Sequence, residues 1–467
     1  MTTVRWGLLS TASIGGLVVR ATRQSRATRF VAVASRDGNR ARQFAAAFGL
    51  DQAFASYEAL LESDIVDAVY VGLPNSMHAE WTIKALRAGK HVLCEKPFVL
   101  SPADAAAAFD AAAGARRVCA EGFMYRYHPS TLLAQQLVGQ GRIGTLSHIR
   151  SALSGTMPAG DIRRDRALGG GAYLDLGSYC VSAARLFAGN PQRVYGEAVF
   201  DANGVDLRLA ATMRLGHDVL AQFDVGMELP RRDELELIGS DGTIVISDPW
   251  LCRAETIELR RDGRSEHLPV DPGGSYALAH DDHDVYRIEL DAISTAITDG
   301  TELPYGRQDA IDQARVLQAL IRSAEIAAPV PLSLPSGRVA VGRTQRTRRT
   351  RRAAHHQGRG QHDLTRRGPA ALQPLDRQRD RLPGLLARIL ADGGQIDVGQ
   401  PRQQAVVVSH HGKDIGNLHA PPQSGVEEPD GAAVVGRYHR GGQVRAGQQH
   451  RGGANARVLG MVAGDDP

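Results

Sequence analysis

The sequence predicts an α/β protein that begins with a doubly wound parallel sheet and continues into an α+β part with an open, mostly antiparallel sheet. The first prediction rests on the alternation of short apolar runs with amphipathic stretches over about the first 120 residues. The second rests on β-rich runs separated by Gly and Asp turns between residues 193 and 270. A change of composition near residue 337 sets a long tail apart from both.

Strands and helices alternate along residues 1–121, which we take as the first domain. The apolar segments that predict strands are, in chain order, VRWGLLS, FVAVAS, QAFAS, IVDAVYVGLP and HVLCEKP. The amphipathic segments that predict helices between them are GLVVRATRQ, NRARQFAAAFGL, YEALLES and HAEWTIKALRAGK. Ser101 and Pro102 then supply an N-cap hydroxyl and a first-turn proline for a further helix. This is the layout of a Rossmann-type sheet.

The turn after the first strand is the expected phosphate site, because ligands of such sheets bind at the carboxyl ends of the strands. The turn consists of Ser10, Thr11, Ala12, Ser13, Ile14 and Gly15. Only the last glycine of a GxGxxG fingerprint is present. Small residues still allow a close backbone approach, and the start of the next helix favours an anion. An ordinary strand-to-helix turn is the alternative interpretation.

Ser35 and Arg36 follow the second strand, where NAD-specific sites usually place an acid. A hydroxyl and a guanidinium suit the 2′-phosphate of NADP. Asp37 comes one residue later and could be the acid that binds the ribose hydroxyls of NAD, so NAD remains a possible cofactor. The sequence therefore predicts NADP as the preferred cofactor and NAD as the alternative.

Residues 122–337 form the predicted second domain. Its β-rich runs are VYGEAVF, VLAQFDV, DELELIGS, GTIVISD and TIELRRD. Two helical stretches follow, HDVYRIELDAISTAI and RQDAIDQARVLQALIRSAEI, and the extended segment PVPLSLP closes the domain.

Three segments carry a family resemblance: LPNSMHAEWTIKALRAGKHVLCEKP, EGFMYRYHP and GGGAYLDLGSY. From residue 4 to about residue 335 the chain resembles the glucose–fructose oxidoreductase / inositol dehydrogenase (Gfo/Idh/MocA) family. The resemblance implies an NAD(P)-dependent oxidoreductase that forms a homodimer or tetramer through the second-domain sheet. Tyr179 ends a motif in which many members have His, a variation similar to dimeric dihydrodiol dehydrogenase and NADP-linked sugar dehydrogenases. The implied substrates are carbohydrates, polyols and trans-diols.

Lys96, Asp175 and Tyr179 are the predicted catalytic residues. A nicotinamide carries the hydride, so the protein must position the substrate and move one proton. Tyr179 is assigned as the general acid/base, with the Lys96 ammonium lowering its pKa and binding substrate. Asp175 lies four residues before Tyr179 on one predicted helix, so the two share a face, and Asp175 would orient Lys96 or a substrate hydroxyl. The reverse assignment of Lys96 and Tyr179 stays open.

The remaining site residues follow from the resemblance. Cofactor contacts are expected from Pro74, Asn75, His78, Glu95 and Lys96, and substrate contacts from Tyr125, Asp161 and Arg163. The histidines lack metal-ligand spacing, so no metal is expected.

The tail, residues 338–467, explains the basic character of the chain. The chain has a net charge of +4 and a pI near 8.9, but this segment alone has 21 Lys and Arg against 11 Asp and Glu. With Tyr438 as its one aromatic residue, it is predicted to be disordered. It is either an Arg-rich arm that binds nucleic acid or the product of GC-rich DNA translated out of frame, since the chain has 51 Arg and 4 Lys. We favour the second, so no nucleic-acid partner is expected.

Two alternative functions remain at this point: a family member that uses tightly bound NAD as an internal redox relay in glycoside cleavage, and a non-catalytic nucleotide-binding regulator. The sequence has no apolar run of about 18 residues and no secretory-signal layout at its start. Its four cysteines show no CxxC pairing. We therefore expect a cytoplasmic protein without a membrane partner.

Overall fold

The first sheet is a parallel sheet of six strands in the order β3-β2-β1-β4-β5-β6, in a computed structural model that describes residues 2–333. Its strands are β1 (Val4–Leu9), β2 (Thr28–Ala34), β3 (Gln52–Phe54), β4 (Ala68–Val71), β5 (His91–Glu95) and β6 (Cys119–Gly122). The strand order reverses between β1 and β4. The carboxyl ends of these two strands therefore form the switch point at which ligands of such sheets bind.

Five helices connect these strands: α1 (Ser13–Ala21), α2 (Gly38–Phe48), α3 (Tyr57–Leu61), α4 (His78–Arg87) and α5 (Pro102–Ala115). Three of them begin at a capping side chain: Asp37 for α2, Ser56 for α3 and Ser101 for α5. Each cap accepts hydrogen bonds from amides of the first helical turn, which would otherwise lack partners.

Apolar side chains cover both faces of the parallel sheet. On one face, Val18 and Val19 of α1 join Trp6 and Leu8 of β1 in the larger core cluster. On the other face, helices α3, α4 and α5 form a second cluster with the remaining strand residues. Burial on both faces explains why these strands read as continuous apolar runs.

The second sheet has nine strands in the order β14-β13-β12-β11-β7-β10-β9-β8-β15. They are β7 (Leu146–Thr156), β8 (Pro191–Phe200), β9 (Asp206–Leu215), β10 (Leu220–Gly226), β11 (Glu228–Gly239), β12 (Thr243–Ile246), β13 (Thr256–Arg261), β14 (Arg264–Pro269) and β15 (Val330–Pro331). Among the described strands of this second sheet, only β7 and β10 pair in parallel.

Four further helices belong to this part of the chain: α6 (Pro129–Gly139), α7 (Ser178–Ala188), α8 (Asp284–Asp299) and α9 (Arg307–Ile326). The last two pack back onto the first sheet. The Trp6 indole N–H of β1 donates to the Ser294 hydroxyl of α8 at 3.0 Å. Ile311 of α9 lies in the same core cluster as α5. These contacts fix the second sheet beside the switch point.

The predicted fold class is confirmed: a doubly wound parallel sheet is followed by an open, mostly antiparallel sheet with helices. Within the described residues, no helix is both long and apolar enough to span a membrane. The predicted disordered tail, residues 338–467, lies outside the described residues.

Candidate functional site

Ser10 connects the two strands of the switch point. It has a φ of +112°, a conformation that favours glycine, at the position of the first fingerprint glycine. Its hydroxyl donates to the Gly72 carbonyl after β4 at 2.8 Å and accepts from the Ala12 amide at 3.0 Å. These two hydrogen bonds hold the turn and give the serine a role that a glycine cannot fill.

The amino terminus of α1 has the donor chemistry of an anion site. Its N-cap residue, Ala12, makes no side-chain capping bond, unlike the caps of α2, α3 and α5, and its first turn holds no acid. A Cβ on Gly16 would lie 2.5 Å from the Phe48 ring, so this glycine lets α1 approach α2. Uncapped amides behind a small-residue turn fit the pyrophosphate of a dinucleotide.

Asp37 is a helix cap at the end of β2. Its carboxylate accepts from the Asn39 amide at 2.8 Å and from the Arg40 amide at 3.3 Å. Its own amide donates to the Ser35 hydroxyl at 3.1 Å. The exposed Arg36 stands between Ser35 and Asp37 in the chain. Because the acid is engaged by α2, this arrangement favours the NADP interpretation of the sequence.

An ion-pair network joins four of the predicted site residues at the end of β5. The Lys96 ammonium donates to Asp175 Oδ1 at 2.7 Å and to the Asp175 carbonyl at 2.9 Å. Arg163 Nε lies 3.0 Å from Asp175 Oδ2, and Arg163 also pairs with Asp161 at 3.1 Å. Burial alone would raise the pKa of Asp175, but Lys96 and Arg163 outweigh it and hold that pKa below its ordinary value.

A π-helical turn, Tyr173–Gly177, places Asp175 in this network. It runs directly into α7, which begins at Ser178 and carries Tyr179. The predicted single helix is thus a π-turn followed by an α-helix, a feature frequent at functional sites. Asp175 and Tyr179 both contact Lys96, in agreement with the shared face that their four-residue spacing predicts.

Tyr179 contacts Lys96 through its ring, with the ammonium 4.9 Å from the ring centroid. Its hydroxyl donates to Met124 Sδ at 3.4 Å. The predicted lowering of its pKa by Lys96 is wrong. Burial, reinforced by Tyr286 and Glu95, raises the pKa of Tyr179 well above its ordinary value. The ammonium lies over the ring face and makes no hydrogen bond to the hydroxyl.

The neighbouring strand ends hold further predicted residues. Glu95 accepts a short hydrogen bond from the Tyr70 hydroxyl and another from the Lys96 amide at 3.2 Å. Asn75, after Pro74 in the loop that follows β4, donates through Nδ2 to the Gly169 carbonyl at 2.8 Å. This bond ties the glycine-rich loop to the switch-point side of the sheet.

Two predicted residues lie in the interior. His78 is fully buried, and its ring nitrogens lie 2.8 Å from the Pro97 carbonyl and 2.7 Å from the Leu73 carbonyl. Tyr125 is fully buried too, and its hydroxyl lies 2.5 Å from that of Ser182. Buried side chains with such hydrogen bonds position strand ends and helices. The geometry therefore supports no direct contact of His78 or Tyr125 with a ligand.

Sequence reasoning missed Tyr70, Gly72 and Met124, which bond the hydroxyl and carboxyl groups of the site. For Tyr70 the available signal is a phenol within the otherwise aliphatic strand AVYV. Met124 carries no signal, because an apolar residue after a strand is ordinary. Within residues 2–333, no cluster of three or more His, Cys, Asp or Glu side chains is arranged to hold a metal ion.

Known proteins match the chain over both sheets. An oxidoreductase-family model described as an NAD-binding Rossmann fold matches residues 4–123, and the GFO/IDH/MocA C-terminal domain model matches residues 131–245. D-xylose 1-dehydrogenase (NADP(+)) 2 of Haloferax volcanii is 36% identical over 335 residues, covering 70% of this chain and 99% of that protein. Trans-1,2-dihydrobenzene-1,2-diol dehydrogenase of Danio rerio is 28% identical over 297 residues, covering 62% and 88%.

Among solved structures, a 3-ketoreductase from Actinomadura kijaniata in complex with NADP and TDP-benzene superposes with a TM-score of 0.63. It is 30% identical, and the match covers 69% of this chain and 98% of that chain. Structures of this ketoreductase include variants with a lysine replaced by alanine or glutamate and with a tyrosine replaced by phenylalanine. With both sheets matched and the relatives spanned almost completely, the chain belongs to the Gfo/Idh/MocA family of NAD(P)-dependent oxidoreductases.

Proposed function

We propose that this oxidoreductase prefers NADP and transfers a hydride between the nicotinamide and a hydroxyl or carbonyl carbon of a carbohydrate, polyol or trans-diol. The observation that carries the proposal is the Lys96–Asp175–Arg163 network, which lies against the Tyr179 ring at the carboxyl edge of the parallel sheet. The names of the xylose and dihydrodiol dehydrogenases support this substrate class.

The residues that would hold the cofactor lie along the same edge. The turn residues Ser10, Thr11, Ala12, Ser13 and Ile14 would bind the pyrophosphate through the uncapped start of α1. Ser35 and Arg36 would bind the 2′-phosphate. The residues expected around the nicotinamide end are Pro74, Asn75, Glu95 and Lys96, with His78 holding the strand ends behind them. When bound, the nicotinamide supplies the hydride chemistry.

Lys96 would bind the reacting oxygen of the substrate. Two of its three ammonium protons go to Asp175, and no third acceptor is found among the described residues. The remaining proton can be donated to a hydroxyl or carbonyl oxygen. Asp175 holds the ammonium in place, and Arg163 with Asp161 offers further polar groups for neighbouring hydroxyls.

Tyr179 would move the proton. A raised pKa keeps its phenol protonated, which suits a proton donor when a carbonyl is reduced. Its present acceptor, the Met124 thioether, is weak, so a substrate oxygen competes with it easily. In the reverse direction Tyr179 would accept the proton only as its phenolate, a form that the raised pKa disfavours at neutral pH.

A cofactor-reduction screen of the full-length protein tests this proposal. Aldoses, inositols and trans-diols are each mixed with NADP or NAD, and the absorbance of the reduced cofactor is followed. We expect net NADPH formation with at least one substrate. Substrate conversion without net cofactor change would instead support the internal-relay alternative, and cofactor binding without any conversion would support the regulator.

Tyr179→Phe should lower kcat by a factor of about 10² to 10⁴ and leave the Kd for NADPH nearly unchanged. Tyr195→Phe is the matched control, because the Tyr195 hydroxyl bonds Glu197 on β8 and not the site. A wild-type rate for Tyr179→Phe would remove the acid/base assignment.

We also propose that the domains divide at residues 121 and 337, that the protein is cytoplasmic, and that the nine-stranded sheet forms a homodimer or tetramer interface. The large side chains Val199, Phe200 and Leu220 of this sheet support the last point, because each is more than a third exposed. Light scattering of the purified full-length protein measures the oligomeric state, and a monomer at micromolar concentration would contradict it.

A further inference from the structure

A buried carboxylate stands behind the π-helical turn. Asp206, the first residue of β9, is 4% exposed, and its Oδ2 accepts the Tyr173 amide at 2.6 Å. Tyr173 is the first residue of the turn that carries Asp175. Short hydrogen bonds to an ionised acceptor are about twice as strong as neutral ones. The second sheet is thus joined to the start of the π-turn by one buried carboxyl group.

Gly171 makes this contact possible. It has a φ of +129°, and a Cβ at this position would collide with Asp206 Oδ1. Its amide donates to the Arg163 carbonyl at 2.8 Å, and its carbonyl accepts from the Asp175 amide at 3.1 Å. The last residue of the triple-glycine run therefore connects Asp206 to both charged residues that meet in the ion-pair network.

The burial of Asp206 has an energetic cost. Burial raises the pKa of this carboxyl to about 7, even though the Tyr173 amide favours the charged form. An apolar residue in its place would avoid this cost but would leave the Tyr173 amide without this acceptor. The hydrogen bond is made at the residue where the π-turn begins.

We propose that Asp206 is a positioning residue, which through the Tyr173 amide holds the π-turn so that Asp175 faces both Lys96 and Arg163. This inference rests on the proposed function of that site. In this role Asp206 touches neither substrate nor cofactor. It acts by fixing the backbone on which the Asp175 carboxylate is presented, and small displacements of such groups cost about 10²-fold in rate.

The test compares Asp206→Ala and Asp206→Asn with Asp201→Ala in the full-length protein. Asp201 belongs to the same β8–β9 hairpin, where it accepts from the Asn203 amide at 2.8 Å and the Val205 amide at 2.9 Å. Asp201→Ala is the matched control, because this substitution loosens the hairpin at a residue that does not contact the π-turn. Four quantities are measured: kcat and KM with the best substrate of the screen, the Kd for NADPH, and amide hydrogen exchange of residues 171–177.

Asp206→Ala should lower kcat about 10- to 100-fold, change the Kd for NADPH less than twofold and accelerate exchange of the Tyr173 and Asp175 amides. Asp206→Asn keeps an acceptor oxygen without the charge, so both effects should be intermediate. Asp201→Ala should leave kcat and the exchange of residues 171–177 at wild-type values. An Asp206→Ala variant whose kcat and exchange match those of Asp201→Ala overturns the proposal.

If Asp206→Ala does not fold, Asp206→Asn decides alone, and wild-type values of kcat and exchange then overturn the proposal. Hydrogen exchange also separates this inference from the proposed function. If the wild-type protein converts no substrate of the screen, accelerated exchange confined to residues 171–177 still supports the positioning role, and unchanged exchange refutes it.

Discussion

Replacing Asp175 by Asn should show how much the protein depends on the ion-pair network. The Asp175 side chain is 14% exposed and lies between Lys96, which is 12% exposed, and Arg163, which is 43% exposed. An asparagine offers one acceptor oxygen and one NH₂ group, so it satisfies one cation and presents donors to the other. Removing one partner of a buried pair costs about 3–5 kcal/mol. Because Arg163 can turn toward solvent, we expect about 3 kcal/mol, mainly from Lys96.

Urea unfolding of the full-length protein at neutral pH measures this loss in the free energy of unfolding. Asp161→Asn is the matched control. Asp161 pairs with Arg163 and accepts the Arg163 amide at 2.9 Å, a capping role that Asn fills equally well. We expect a loss below about 1 kcal/mol for this control. A loss below 1 kcal/mol for Asp175→Asn as well would refute the reasoning.

The pH dependence provides a second check of the same pair. The folded-state pKa of Asp175 lies below its ordinary value of 3.8, so its stabilising contribution is complete above that value. It is lost as the pH falls through the lowered pKa. The stability gap between the wild type and Asp175→Asn should therefore stay constant from neutral pH down to about pH 5 and narrow below pH 4. A gap that narrows already between pH 7 and pH 5 would contradict this assignment.

Four further substitutions have defined outcomes. Arg36→Ala should weaken NADPH binding far more than NADH binding in fluorescence titrations, and equal losses would remove the case for NADP. Gly171→Ala should destabilise the protein by about 3 kcal/mol in urea unfolding, because its Cβ meets the Asp206 carboxylate at a φ of +129°. Gly114→Ala, in the exposed last turn of α5 with nothing within 4 Å, should instead stabilise it by about 0.5–1 kcal/mol. Asp37→Ala should cost about 1 kcal/mol of stability through the lost α2 cap, and unchanged stability would refute the capping role.

Much of the fold follows from the sequence because its strands are strongly patterned. The first five predicted strands correspond to β1–β5, and the segment RQDAIDQARVLQALIRSAEI coincides with α9 from Arg307 to Ile326. Strands β6, β7, β9 and β14 were not predicted. β6 has only four residues, and β14 is largely exposed, so neither has an apolar run. The parallel pairing of β7 with β10 depends on contacts about 70 residues apart, which local patterns do not encode.

The sequence predicts which residues form the candidate site better than it predicts the contacts between them. The four-residue spacing predicts that Asp175 and Tyr179 share a face, and the family resemblance adds Lys96 to them. The structure joins Arg163 and Asp161 to this group. The ionisation of Tyr179 could not be predicted, because it depends on burial among Tyr286, Glu95 and other groups distant in the chain. Asp206 was missed for the same reason. It lies 33 residues after the amide it binds.

The bond from the Trp6 indole to Ser294 has a consequence for synthesis on the ribosome. The two residues are separated by 288 positions, so at a rate of about 5–20 residues per second roughly 15–60 seconds pass between them. During that time the parallel sheet has its own helices but lacks α8 and α9, and the apolar surface that they cover is open to solvent. We expect the nascent first domain to be a target for chaperones and to dock its final helices in a late, slow phase.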